Sequence, residues 1–233
     1  MTSAVLLDFY GTLAHAETWG PTRQEVLASR GFDVPDEVVA SWRDDAIDGK
    51  EHVEHSESAE HYRAWEHARL RSFVEACGVG PDDADLLVDE LHTATKSFEL
   101  VAYPEARDVL EALRKKKLTV AVCSNWDWHL NRAMAQAGLD SFVDVMVTSA
   151  QAGARKPHRR IFEHTLERCG IDNAADVVFA GDSWGPDVEG PKAMGMRPVH
   201  VWRPEWEGER EPPPPVSNGV VRLPDLSGLV DLV

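Results

Sequence analysis

Apolar positions along the chain fall into two rhythms. Short, β-branched runs recur at 5–7, 118–123, 143–147, 177–180 and 199–202. Each is almost continuously apolar, the pattern of a strand covered on both faces. Between most of them the spacing is helical. Pro104 opens a stretch with Ala106, Leu110 and Leu113 on one face, Leu130, Ala133, Met134 and Ala137 precede Gly138, and Ile161, Phe162, Thr165, Leu166 and Cys169 precede Gly170. Strand and helix alternating in this way predict an α/β fold, a parallel sheet with right-handed crossovers.

Residues 17–100 break the alternation. Helical spacing is present at Val38, Val39, Trp42 and Ala46, at Leu70, Phe73, Val74 and Cys77, and at Leu87, Leu91, Ala94 and Phe98, with almost no strand signal. Gly31, Gly49 and Gly78 punctuate the segment ends. The expected organisation is therefore a core of residues 1–16 and 101–233 with an inserted helical lobe at 17–100. The acidic, proline-rich stretch 204–215 reads as an extended surface connection to a last short strand near Val220 and Val221.

Composition narrows the function. The 233 residues are 43% hydrophobic and 27% charged, globular proportions. Lys and Arg total 24 against 40 Asp and Glu, a formal charge of −16. Such a field repels phosphate backbones and anionic lipid, so neither nucleic acid nor a membrane is an expected partner. A small anionic substrate remains compatible if a local cation and backbone N–H groups screen it. Cys77, Cys123 and Cys169 are an odd, widely spaced set, as in reduced cytoplasmic proteins. No apolar run approaches ~20 residues, and a charge arrives at Asp8, so we expect no signal peptide and no membrane span.

In an open parallel sheet, ligands gather beyond the carboxyl ends of the strands. Four consecutive strand ends here carry chemistry: Asp8-Phe9-Tyr10-Gly11-Thr12-Leu13, Ser124-Asn125-Trp126-Asp127, Arg155-Lys156-Pro157, and Gly181-Asp182-Ser183-Trp184-Gly185-Pro186-Asp187. A carboxylate in such a set can attack an electrophile while a lysine and N–H donors hold the displaced charge. Asp8 and Asp182 are hard oxygen ligands of the kind Mg²⁺ accepts. Several carboxylates around one point would be costly without a cation.

These segments resemble the four motifs of the haloacid dehalogenase (HAD) superfamily: a hydrophobic strand with DxxGTL, a helical insertion, then S-N, K-P and GDSxxxD in order across residues 4–187. The resemblance implies a Rossmann-like core with a helical cap and a hydrolase activity. By position it makes Asp8 the nucleophile and Lys156 the charge-neutralising cation. Ser124, Asn125, Thr12 and Tyr10 become substrate-binding residues. Asp8, the Tyr10 carbonyl, Asp182 and Asp187 become the metal set. Tyr10 departs from the phosphatase pattern, which places a second Asp there to protonate the leaving alcohol. A phenol with an unperturbed pKa of ~10 replaces it poorly, so slow turnover or an accumulating intermediate is expected. Tyr at this place is similar to the metal-independent 2-haloacid dehalogenases, whereas the Gly181 to Asp187 segment is similar to Mg²⁺ phosphohydrolases. The leading reading is a Mg²⁺-dependent phosphomonoester hydrolase working through an aspartyl-phosphate on Asp8. The alternatives are a 2-haloacid dehalogenase and a non-catalytic binding protein.

Other features read more plainly. His52, His55, His61 and His67 lack a common helical face and read as polar cap surface. His15 is a candidate for the missing general acid by its ordinary titration range. Trp126, Trp128 and Trp184 lie beside the loops, where packing is the simpler role.

Overall fold

A computed structural model of the chain describes residues 2–203, 213–216 and 219–233. Strand β1 (Ala4–Leu7) is followed by β2 (Ala14–Trp19) and by helices α1 (Arg23–Ser29), α2 (Asp36–Ser41), α3 (Ala59–Ala76) and α4 (Pro81–Ala94). Strand β3 (Phe98–Ala102) leads into α5 (Ala106–Lys115), β4 (Thr119–Ser124), α6 (Leu130–Gln136), β5 (Val145–Thr148), α7 (Ser149–Ala152) and α8 (Arg159–Cys169). The chain closes with β6 (Val177–Gly181), α9 (Gly190–Ala193), β7 (Arg197–Val201) and β8 (Val221–Leu223).

Six strands form one parallel sheet in the order β5-β4-β1-β6-β7-β8. The winding reverses about β1, whose neighbours are β4 and β6, so the crevice at the strand ends opens beside the residues that follow β1. The strands alternate in which apolar cluster they feed. Val5, Leu7, Val120, Val122, Val178 and Ala180 join one core, and Ala4, Leu6, Ala121, Cys123, Val177 and Phe179 join the other. That division explains why the runs are apolar throughout: both faces are covered. The fold is the expected Rossmann-like α/β sheet with an inserted helical lobe.

The inserted lobe has an apolar cluster of its own, built from Val26, Leu27, Phe73, Val74, Leu87 and Leu91. Helix α3 begins at a Ser58 cap that accepts from the His61 amide, and α4 begins with Pro81 at its first turn. The ends of the insertion differ from the helical expectation. β2 and β3 pair antiparallel, from Ala14 opposite Ala102 to Trp19 opposite Phe98, with an irregularity between Ala16 and Thr18. Phe98 thus starts a strand, and α4 stops at Ala94. The alternation in Ala-His-Ala-Glu-Thr-Trp is weak because Ala and Glu are poor strand formers, and pairing with a distant segment overrides that preference. Most of the proline-rich connection read at 204–215 lies outside the described residues; Val221 opens the last strand as expected.

Candidate active site

Asp8 sits one residue beyond β1, where its amide donates to Ala180 O at 2.9 Å and ties it to the end of β6. Lys156 reaches the same point from the loop after α7. It is 1% exposed, and its ammonium donates to Asp8 Oδ1 and to Asp187 Oδ1, each at 2.6 Å. Asp187 lies in a π-helical turn, Trp184–Glu189, and its other oxygen accepts from the Ser183 amide at 3.0 Å. Asp182, at the end of β6, completes the group. Asp8, Asp182 and Asp187 are all buried, and one ligand atom from each lies within 4.8 Å of the others.

Three carboxylates thus face one lysine. Burial opposes the charge on Lys156, but Asp187 and Asp8 outweigh it and hold the ammonium above the usual lysine value. Asp187 is pushed up to about 7, by burial first and then by Asp8 and Asp182, against the pull of Lys156. Among these residues the negative charge is in surplus, and the donors are hard oxygens. That combination fits a divalent cation of the Mg²⁺ class.

The surrounding loops are shaped for this packing. Gly11 has φ +84°, and a Cβ there would lie 2.6 Å from Asp182 Cγ, so only glycine lets the loop after β1 pass the carboxylate. The Thr12 hydroxyl donates to Asp182 Oδ1 at 3.4 Å. Arg222 Nε donates to His200 Nδ1 at 2.9 Å; the other imidazole nitrogen therefore carries the proton and donates to Asp182 O, also at 2.9 Å. On the far side of the loop, Arg203 donates to Thr12 O at 3.0 Å and to Glu105 Oε1 at 2.6 Å, with its guanidinium 3.7 Å from the Tyr103 ring centroid.

The cleft over these groups is lined by Asp8, Tyr10, Ser124, Asn125, Lys156 and Asp187, together with Asp48, Trp126 and Arg155. Ser124 is 2% exposed at the end of β4. The Tyr10 ring packs 5.7 Å from Trp19 and 6.5 Å from Trp126. Asn125 uses both ends of its amide on the Lys156 peptide: Oδ1 accepts from Lys156 N at 2.7 Å and Nδ2 donates to Lys156 O at 3.1 Å. Thr12 is fully buried with its hydroxyl on Asp182 and does not itself line the cleft. His15 tilts against Tyr103 at 4.8 Å and does not line it either. His52 and His55 stack on Trp65, and among the described residues the only group placed to hold a metal is the aspartate trio. Asp48, Arg203 and His200 carried no sequence signal, since their partners lie from 77 to 191 residues away or across a strand pair.

A second cavity of about 200 Å³ adjoins the cleft and shares Asn125, Trp126 and Arg155 with it. Its cap side includes Trp42, Tyr62 and Phe73, with Arg23, Arg69 and Lys96 as cations. Among the described residues no helix is long and apolar enough to cross a membrane.

A parallel α/β sheet with a carboxylate–lysine cluster at its switch point and a helical insertion beside it defines a capped α/β protein. The chain belongs to the haloacid dehalogenase-like hydrolases, whose family profile matches residues 2–195. Similar proteins include human Haloacid dehalogenase-like hydrolase domain-containing protein 3, 34% identical over 136 residues, covering 58% of this chain and 52% of that one. Ribulose-1,5-bisphosphate 5-phosphatase of Halopiger xanaduensis is 31% identical, covering 51% of this chain and 49% of that protein. (S)-2-haloacid dehalogenase 4A of Burkholderia cepacia is 33% identical, covering 54% and 55%. The chain spans about half the length of the curated relatives it matches. Among solved structures, a HAD phosphatase from Thermococcus onnurineus superimposes with a TM-score of 0.63 at 21% identity, covering 100% of this chain and 97% of that one. A 2-haloacid dehalogenase from Pseudomonas syringae pv. Tomato DC3000 does so at 0.65 and 22%, covering 100% and 98%. At these identities the likeness establishes the fold.

Proposed function

We propose that the protein is a Mg²⁺-dependent phosphohydrolase acting on a small phosphomonoester, with Asp8 as nucleophile. The observation that carries this reading is the buried trio Asp8, Asp182 and Asp187 around Lys156. A dehalogenase, which displaces halide without a metal, has no use for Asp182 and Asp187 as a metal pair. Asp8, Asp182 and Asp187, with the Tyr10 carbonyl, would hold the cation. Bound there, Mg²⁺ would neutralise charge on the transferring phosphoryl group.

An Asp8 oxygen bonds to phosphorus as the bond to the alcohol oxygen breaks, and the alkoxide takes its proton from a water molecule, leaving hydroxide. A second water then attacks the phosphorus of the aspartyl-phosphate, breaking the bond to Asp8 and restoring the carboxylate, and the proton it brings passes to the hydroxide as hydrogen phosphate departs. Lys156 donates to Asp8 Oδ1 at 2.6 Å, which orients the attacking group, and its charge faces that of the substrate. Ser124 and Asn125 bound the phosphoryl position. The adjoining cavity is lined by aromatic rings, by Arg23 and Arg69, and by Lys96 paired with Glu66 and Asp127, which suits a small polar substrate with an apolar part. Because Tyr10 leaves no carboxylate two residues after Asp8, proton delivery is the weak step, and slow turnover follows.

Phosphate release from a phosphomonoester panel with Mg²⁺, abolished by Asp8→Asn, is the expected result. No release from any member, with Asp8→Asn indistinguishable from wild type, would refute it. The second reading is 2-haloacid dehalogenation, favoured by Tyr10 itself. Chloride release from 2-chloropropionate in EDTA would support it, and its absence removes it. Retained ligand binding without any Asp8-dependent turnover would point to the third reading, a non-catalytic binding protein.

A further inference from the structure

The inserted lobe touches the Lys156 loop directly. Residues 48–52 run along residues 153–156, with Glu51 and Ala154 forming an antiparallel bridge. The Gly49 amide donates to Lys156 O at 3.2 Å, the His52 amide to Gly153 O at 2.7 Å, and the Arg155 amide to Lys50 O at 3.1 Å. Gly153 makes the approach feasible, since a Cβ there would lie 2.7 Å from Val53 Cγ2. At the head of this strap, Asp48 Oδ1 accepts from Asn125 Nδ2 at 3.0 Å and from Arg155 Nε at 2.8 Å. Its side chain is 24% exposed, so these charge-assisted bonds are largely sheltered from water. Asn125 in turn grips the Lys156 peptide at both its N–H and its carbonyl.

We infer that Asp48 is a positioning residue: carried by the insertion, it fixes Asn125 and Arg155 and thereby the peptide that presents Lys156 to Asp8 and Asp187. The inference rests on the role given to Lys156 under the proposed function. Its physical content is that docking of the insertion and order at the lysine are one event. Lys156 must meet two carboxylates at 2.6 Å each, and a displacement of ~1 Å from such a geometry costs about a hundredfold in rate. With the strap unseated, Asn125 loses an acceptor, Arg155 loses its counter-ion, and the Lys156 carbonyl loses the Gly49 donor.

The test is amide hydrogen exchange at Gly49, His52, Arg155 and Lys156, alongside steady-state kinetics, on the full chain. Asp48→Ala is expected to speed exchange at these four amides about ten- to hundredfold, the range for losing hydrogen bonds to a charged group. Exchange in β4 and β6 should stay as in wild type. Turnover should fall in kcat by about tenfold or more, with KM moving less than about threefold. Asp48→Asn keeps an acceptor oxygen without the charge and is expected midway, about three- to tenfold. It becomes the deciding variant if Asp48→Ala loosens the whole insertion, seen as rapid exchange through α3 and α4. Wild-type exchange at the Lys156 amide in Asp48→Asn overturns the inference, as does faster exchange with kcat unchanged. Asp8→Asn separates the two readings, because it should abolish turnover and leave exchange at residues 49–52 alone. A wild-type enzyme inert on every substrate would overturn the proposed function, and the Lys156 exchange result would then decide the tether by itself.

Discussion

Replacing Lys156 by methionine removes the cation that pairs with Asp8 and Asp187 in the buried trio while keeping most of the side-chain volume. Lys156 is 1% exposed and Asp187 is also 1% exposed, so water cannot take over the role of the ammonium. Deleting one partner of a buried ion pair costs about 3–5 kcal/mol, because the remaining charge is left without compensation. For a chain of this length each kcal/mol moves the midpoint by about 2–4 °C, so the expected loss is roughly 6–20 °C. The two lobes have separate apolar clusters, and differential scanning calorimetry, which resolves separate transitions, is the appropriate assay. The loss should fall on the sheet-containing lobe. Mg²⁺ should then recover stability in the variant, about 2.7 kcal/mol at a hundred times its dissociation constant, because the surplus charge it neutralises has grown. A variant melting within ~2 °C of wild type, or one indifferent to Mg²⁺, would refute the charge balance argued for the site.

Three further outcomes follow from individual residues. Gly11→Ala, at φ +84° and with its Cβ 2.6 Å from Asp182 Cγ, should lower stability by about 1–2 kcal/mol from backbone strain. It should also reduce turnover at least tenfold through a displaced Asp182; urea titration and kcat/KM check the two parts separately. His52 and His92 are both held near 4, below their ordinary 6.5, chiefly by burial. As pH falls from about 6.5 to 4 the unfolded chain takes up protons before the folded one, so stability that is complete above 6.5 is lost across that window. Allowing for solvent screening the total is of order 1 kcal/mol, and urea midpoints at pH 7.5 and 5 should differ less in the His52→Gln/His92→Gln variant. Cys123 is fully buried and its thiol is pushed up to about 12 by that burial. It should resist a thiol reagent in the native protein and react on denaturation, and labelling of Cys123 in the folded state would contradict the packing of the sheet.

Much of the site was legible because its residues follow strands whose apolar runs are unmistakable. Asp8, Ser124 and Asp182 each stand at a strand end, and Lys156 and Asp187 lie in the loops that follow, so a parallel sheet brings them together whatever the details of packing. The hinge strands β2 and β3 were not legible, since each acquires its pairing only from the other, 79 to 88 residues away in the sequence. Asp48 shows the same limit more sharply. It belongs to no motif, and only the seating of residues 48–52 on residues 153–156 gives it Asn125 and Arg155 as partners.

The sequence by itself determined the parallel sheet and the four loops that carry charge, because hydrophobic periodicity and strand-end chemistry are local properties. Only the tertiary structure decided how the insertion meets the core, which arginine and histidine brace the loops around Asp182, and that Thr12 serves Asp182. Those assignments depend on distances between segments remote along the chain, and such distances are set by the closing of the whole fold.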